Sequence, residues 1–336
     1  MQKQAAMKWS TPITIEEKKG YLQHGSPMLL MGSCFADNVG EYLRKAKFEI
    51  EINPFGTLYN PESIANALDR LISGREYRPE DLQRSGKIWY SYHHHGKFSS
   101  TSAEQTLRNI NNSLERASAM LKRCERLILT FGTAYVYRLA STGETVANCH
   151  KQPAYLFERT LLSVDEIVTR WEKLLQRLAI YAPQCKIVFT ISPIRHMSDG
   201  AHNNQLSKST LLLAADRLCK SHSELCDYFP AYEIVLDELR DYRFYADDMA
   251  HPSPQAVAYI YEKLCDTYFT DHTRDIAELC LKIDRGLHHR PLAGTDNEGY
   301  QQFAQKLITQ MRQTEQKEKN IDYNKEIEEL KQLISQ

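Results

Sequence analysis

Two short stretches carry the residue types needed for nucleophilic acyl transfer. An apolar run, Pro27-Met28-Leu29-Leu30-Met31, stops at Gly32-Ser33-Cys34, which places a hydroxyl and a thiol just before a helical pattern. Far along the chain, Asp248-Met249-Ala250-His251 precedes Pro252-Ser253, a helix-start signal. A three-residue spacing lets one turn bring a carboxylate and an imidazole to the same side, the arrangement of an orienting group and a general base. Acyl transfer also needs donors for the developing oxyanion, and Gly56 and Gly132-Thr133 stand beyond other apolar runs.

These segments converge only if the fold brings strand ends together. Strands are expected at Met28 to Met31, Phe48 to Ile52, Leu127 to Phe131, Ile187 to Ile191 and Ala231 to Leu236. Helical patterns alternate with them at Asp37 to Lys47, Pro61 to Ser73, Ala103 to Cys124, Ser163 to Tyr181, Gln205 to Ser223 and Ser253 to Phe269. The alternation predicts a three-layer α/β/α sandwich on a mainly parallel five-stranded sheet, with the candidate residues at the carboxyl ends of its strands. Two insertions interrupt it. Residues 75 to 101 end in an aromatic and His-rich loop, and residues 134 to 160 read as a hairpin turned at Ser141-Thr142-Gly143.

The 336 residues, 42% of them hydrophobic, suffice for one large core, assigned to residues 1–290. Residues 291–336, rich in Gln, Glu and Lys, read as a solvated helical extension with a short stripe at Ile321, Ile327, Leu330 and Ile334. That stripe is the one candidate surface for association of copies of the chain. With 42 basic and 43 acidic residues the net charge is −1, which gives no electrostatic footprint for nucleic acid or an anionic membrane. The first 20 residues lack the apolar stretch of a signal peptide and no later segment approaches a membrane span, so a cytoplasmic location is expected. The eight cysteines form no CxxC pair and read as reduced thiols.

Gly32-Ser33-Cys34-Phe35-Ala36 is the signature of the GSCFA family, which the chain resembles over most of its length. The resemblance runs through Asn53-Pro54-Phe55-Gly56, Phe131-Gly132-Thr133, Asn148-Cys149-His150-Lys151, Ser192-Pro193-Ile194-Arg195-His196, Ser207-Lys208-Ser209 and Asp248-Met249-Ala250-His251-Pro252. The family in turn is similar to the SGNH, or GDSL-like, hydrolases, which implies a flavodoxin-like fold and esterase or deacetylase activity. Carried over, the pattern implies Ser33 as nucleophile, His251 as general base and Asp248 as its orienter; adjacent residues entering a helix cannot both face the cleft, so Cys34 reads as a small residue packed under the turn, an outward thiol at the helix N-terminus being the alternative. The backbone N–H groups of Ser33 and Gly56 would be oxyanion donors. Where SGNH enzymes place an Asn, Gly132-Thr133-Ala134 has Ala134, which leaves the Thr133 hydroxyl or Asn148 to supply a third donor, or a hole with two donors only.

Substrate contacts are expected from Asn148, His150 and Lys151, from His93 and His95 as a pocket wall, and from Arg195 as a clamp on an acidic group. Trp89, Tyr90, Tyr92 and Tyr155 would suit a sugar face. Consecutive histidines with no nearby acidic residue do not read as a metal site, and no cofactor is called for. The expectation is a serine esterase acting on a small-molecule or saccharide ester, carbohydrate O-acetyl groups being the favoured class. An O-acyltransferase using the same triad and a non-catalytic binding protein on the same fold stand as alternatives.

Overall fold

A computed structural model describes residues 10–289 and 298–334. Strand β1 (Met28–Gly32) leads into α1 (Cys34–Lys45), and β2 (Ile50–Ile52) into α2 (Pro61–Ser73). A small hairpin, β3 (Gln83–Ser85) and β4 (Ile88–Tyr90), precedes α3 (Ala103–Lys122) and β5 (Arg126–Phe131). The second insertion folds as an antiparallel sheet of β6 (Tyr135–Leu139), β7 (Thr145–Val146) and β8 (Phe157–Leu161), with β6 in the middle. Then come α4 (Val164–Tyr181), β9 (Lys186–Ile191), α5 (Gly200–Ser221), β10 (Cys226–Phe229), the short α6 (Ala231–Glu233) and α7 (Pro254–Tyr268). Three further helices follow: α8 (Asp271–Leu287), α9 (Glu298–Lys317) and α10 (Asn324–Ile334).

The central sheet has the order β10-β9-β5-β1-β2, and all its pairs are parallel. Counted along the chain this is the 2-1-3-4-5 order of doubly wound folds, in which ligands bind beyond the carboxyl ends of the strands where the winding reverses, here between β1 and β5. Strand β1 is buried on both faces, as its unbroken apolar sequence requires. Alternate side chains serve different cores: Leu29 and Met31 meet α2 to α5, while Met28 and Leu30 meet α1 and α7. Helix starts are fixed by side-chain caps. Asn60 accepts from Ser63 N at 2.7 Å ahead of Pro61, Ser163 and Glu166 cap each other's backbone, and Ser253 caps α7 ahead of Pro254.

The fifth strand lies earlier than the sequence reading placed it. Cys226–Phe229 forms β10, and Pro230 ends it. Ala231 to Leu236 is helical instead, turning through α6 into a π-type turn over Ile234–Glu238 that buries Ala231, Ile234 and Val235 in the core beside α7. A short apolar run fits a buried helical turn as well as a buried strand, so periodicity could not separate them.

The C-terminal stripe is core, not solvated surface. Ile321, Ile327 and Leu330 are buried with Ala304, Leu307 and Met311 of α9 and with Ile276, Cys280 and Ile283 of α8. The bundle is tied to the end of α1, where Lys47 pairs with Glu326, donates to Asp322 O at 3.0 Å and lies over the Tyr323 ring. The boundary read near residue 290 falls outside the described residues. Among the described residues no helix is long and apolar enough to cross a membrane. All eight cysteines are free thiols.

Candidate active site

The helix after β1 begins at Cys34, three residues earlier than its pattern suggested, and this decides which side chain faces the cleft. Ser33 becomes the N-cap: its Oγ accepts from Phe35 N at 3.3 Å, its carbonyl accepts from Ala36 N at 2.8 Å, and the residue is 1% exposed. Cys34, first in the helix, projects its thiol outward, with Sγ 3.6 Å from His251 Nε2. The structure therefore joins the imidazole to the thiol and leaves the Ser33 hydroxyl folded onto the helix. Gly32 makes the tight turn possible. Its φ is +145°, and a Cβ there would lie 2.2 Å from Thr130 O.

His251 is oriented as expected. Its Nδ1 lies 2.5 Å from Asp248 Oδ2, while Asp248 Oδ1 accepts from the N–H groups of Ala250 and His251, both at 2.9 Å. Those two backbone bonds and the imidazole hold the Asp248 carboxyl down at about 2. From outside the turn, Arg195 N donates to Ala250 O at 3.0 Å and its guanidinium donates to Met249 O at 3.2 Å. Arg195 thus braces the loop that carries the base, besides lining the cleft.

The Cys34 thiol is pushed up from the ordinary cysteine value. Burial is the largest cause, the N–H groups of Cys34 and Phe35 work against it, and the carboxylates of Asp37 and Asp248 add to it. At rest the Cys34 thiol beside His251 is thus neutral.

The three expected oxyanion donors are engaged elsewhere. Ser33 N–H donates to Thr130 O at 3.2 Å and Gly56 N–H to Asn53 O at 2.7 Å. The Thr133 hydroxyl pairs with Ser207 Oγ at 3.0 Å, and its N–H donates to Tyr59 O. Gly56 is required for space: at φ +77° a Cβ would sit 2.2 Å from His95 Cβ. The strand ends are instead locked by Asn53, whose Oδ1 accepts from Gly32 N–H and whose Nδ2 donates to Asp37 Oδ1, both at 2.8 Å.

A cleft of about 750 Å³ opens at this edge and brings Cys34 and His251 together with Tyr59, Thr133, Asn148, Arg195 and His196. Its far wall is the second insertion, through Tyr135, Tyr137, Cys149, Phe157 and Arg159, whose guanidinium stacks 3.8 Å over the Tyr135 ring and pairs with Asp199 at 2.5 Å. Asn148 and Arg195 thus reach the cleft; His93, His95, His150 and Lys151 do not. His93 pairs with Glu144 at 3.2 Å, and His95 Nδ1 accepts from Lys97 N. His150 Nε2 meets Ser91 O at 2.8 Å with its ring 4.4 Å from Tyr90, and Lys151 is exposed. Each of these rings has one nitrogen engaged away from the cleft. Trp89, Tyr90, Tyr92 and Tyr155 also lie outside the cleft lining, where Tyr59, Tyr135 and Tyr137 stand instead.

Two site residues had no assigned role in the sequence reading. Lys208, completely buried, donates to Gly132 O at 2.6 Å and to Ser192 O at 2.7 Å, joining the loops after β5 and β9; burial pushes its ammonium down to about 7. His196 presents a buried Nε2 with no hydrogen-bond partner among the described residues. Burial, then the nearby cations Lys208 and Arg159, push its pKa down to about 4, so it is neutral at pH 7. Both stood within segments that carry the family resemblance, Ser192 to His196 and Ser207 to Ser209, which marked the segments without assigning either side chain a role.

Fold and site together define an α/β protein with a parallel sheet of flavodoxin-like order and a Cys-His-Asp constellation at its carboxyl edge. The chain belongs to the GSCFA family: that family's model matches residues 27–264, and the model of the GSCFA domain protein C-terminal domain matches residues 280–336. No curated protein gives a significant match. Similar solved structures include an acetyl xylan esterase (Est2A) from the rumen bacterium Butyrivibrio proteoclasticus, 10% identical with a TM-score of 0.38, covering 72% of this chain and 63% of that one. Another, from Streptococcus pneumonia and described by reference to platelet activating factor, is 13% identical with a TM-score of 0.35, covering 71% and 83%.

Proposed function

We propose that this protein is a carboxylic ester hydrolase of SGNH type in which Cys34, rather than Ser33, is the nucleophile. The observation that carries the reading is the line Cys34 Sγ, His251 Nε2, His251 Nδ1, Asp248 Oδ2, with separations of 3.6 and 2.5 Å at its two contacts. His251 Nε2 takes the thiol proton as Sγ bonds to the ester carbonyl carbon, and the carbonyl π electrons move to oxygen. Sγ starts the helix, so the new oxyanion forms beside the positive end of α1 and the Cys34 N–H. Collapse expels the alkoxide, which takes the proton from His251 and leaves a thioester on Cys34. Water then attacks the thioester, again through His251, releasing the acid and restoring the thiol. The Asp248 carboxylate holds the ring and stabilises the imidazolium throughout.

Two features favour hydrolysis over transfer to a second hydroxyl. His251 keeps 47% of its side chain exposed, so water reaches the base, and the cleft is open above it. The tyrosine-lined cleft with Asn148 and Gln152 at its rim suits an acetylated saccharide, a polar ligand with apolar ring faces. Incubation with p-nitrophenyl acetate and then with acetylated sugars, followed by intact mass and peptide mapping, tests this. An acetyl adduct on Cys34 that forms faster than it decays, and is absent from Cys34→Ala, supports the reading. An adduct on Ser33, or none on folded protein, sinks it.

A further inference from the structure

The site as described has a nucleophile, a base and an orienting carboxylate, but the side-chain donor expected for the oxyanion is missing. Ala134 occupies that place, fully buried, and its N–H donates to Ser207 Oγ at 2.8 Å. Thr133 is tied to the same serine. A donor has to come from another element.

We propose that His196, on the loop after β9, is that donor, presenting Nε2–H to the oxyanion formed at Cys34. The inference rests on the Cys34 reading above and completes it. Among the described residues the Nε2 atom is buried and unpartnered, and the residue lines the same cleft as Cys34 and His251. A buried polar atom without a partner is costly, and one beside a cleft is satisfied when a ligand displaces the side chains that cover it. Gly132 permits a close approach: a Cβ there would meet Tyr59 O at 2.9 Å and lie 3.4 Å from Ser33 Cβ and 3.5 Å from His196 Nε2, so the absence of a side chain lets the imidazole stand beside the turn that carries Cys34.

The donor is held in advance of reaction, which is what makes such a group effective. Ile194 N donates to Ser192 Oγ, Arg195 N to Ala250 O and His196 N to Asn204 Oδ1 at 2.9 Å, which fixes three successive residues of the loop. Lys208 clamps the Gly132 and Ser192 carbonyls at the ends of β5 and β9. Desolvation and the neighbouring cations keep the ring uncharged. A neutral imidazole can donate to an oxyanion without giving up its proton, whereas an imidazolium would hand it over. His251 remains the base, since it already meets Sγ.

The test is turnover of p-nitrophenyl acetate by wild type, His196→Phe, His196→Gln and Asn148→Ala, with the Cys34 acyl-enzyme followed by intact mass. His196→Phe should lower kcat about a hundredfold with KM little changed, because the contact exists only in the transition state. His196→Gln, whose amide can donate, should recover about tenfold of that loss. Inhibition by acetaldehyde, whose hemithioacetal places an oxygen in the same position, should weaken in parallel. A merely structural role would shift KM and thermal stability together and would not be rescued by Gln. The inference is overturned if acylation of Cys34 proceeds at the wild-type rate in His196→Phe, or if Asn148→Ala produces the kcat loss instead. If wild type forms no adduct on Cys34, the donor and the proposed function fail together.

Discussion

His251 and His94 both lie in short polar loops, and their surroundings are opposite. His251 is 47% exposed, with one nitrogen on the Asp248 carboxylate and the other on the Cys34 thiol. His94 is 1% exposed; its ring stacks 4.8 Å over Phe55, stands edge-on to Tyr77 and Phe98, and its Nδ1 meets Ser91 Oγ at 3.1 Å. Burial, then the neighbouring His93, holds His94 far below the ordinary histidine value, so it stays neutral and titrates nothing near pH 7. A run of three histidines attracts more notice in a sequence than a single Asp-x-x-His pair, yet here the run packs against the sheet edge and the pair sets an imidazole in the cleft beside a thiol. What separates them is a carboxylate within reach and a nitrogen left facing a thiol.

The comparison breaks most visibly at the nucleophile. Cys34→Ala and His251→Ala should each lower kcat/KM on aryl acetates by about a thousandfold or more, the scale seen when a triad member is removed, with little change in the urea midpoint. Alkylation of Cys34 by iodoacetamide should rise with pH and inflect above the ordinary cysteine value, since burial and the Asp37 and Asp248 carboxylates oppose the thiolate. An inflection well below that value would show a preformed thiolate and a different role for His251.

On the other side, His94→Ala removes a fully packed ring and leaves a cavity among Phe55, Tyr77 and Phe98. By analogy with aromatic truncations in cores it should cost about 2–4 kcal/mol in urea unfolding, while activity per folded molecule stays near wild type. Loss of turnover with stability unchanged would move the His-rich loop into the site and undo the contrast.

The sequence made the sheet legible because parallel strands buried on both faces are nearly continuous apolar runs: Met28–Met31, and Leu127–Phe131 and Ile187–Ile191 with one threonine each, need no partner to be recognised. Asp248 and His251 were legible because their spacing alone puts them on one turn. Which of Ser33 and Cys34 faces the cleft was not, because the two are adjacent and their directions depend on whether the helix starts at residue 34 or 37, a difference set by the cap and not by periodicity. The use of His93, His95 and His150 for packing and the burial of Lys208 were illegible for another reason. They depend on which insertion folds onto which strand end, information that is nonlocal. The Ile321-to-Leu330 stripe failed likewise, since its partners lie on α8 and α9.

Lys208 extends the buried side of the comparison to a cation. Folded, its pKa is pushed down to about 7; unfolded, a lysine keeps its proton to about pH 10.4. Between those values the unfolded chain holds the extra proton, so stability rises with pH, and below pH 7 the group is protonated in both states and contributes no slope. From pH 7 to pH 9 wild type should gain on the order of 2 kcal/mol relative to Lys208→Met, measured as the difference in urea unfolding at the two pH values. Parallel pH dependence in the two proteins would mean that the Gly132 and Ser192 carbonyls keep the ammonium charged despite its burial.

The smallest effect is the most discriminating. Ser33→Ala removes one N-cap acceptor, the Oγ that takes the Phe35 N–H, and should cost about 1 kcal/mol of stability. If Cys34 is the nucleophile, kcat should fall by less than about tenfold, because Sγ, His251 and Asp248 keep their places and only the stiffness of the turn is reduced. If Ser33 were the nucleophile, the same substitution would remove turnover altogether and leave Cys34→Ala active. The two residues are neighbours in sequence and differ by one atom, so the pair of variants, read by kcat and by unfolding together, separates a capping hydroxyl from an attacking thiol without altering anything else in the cleft.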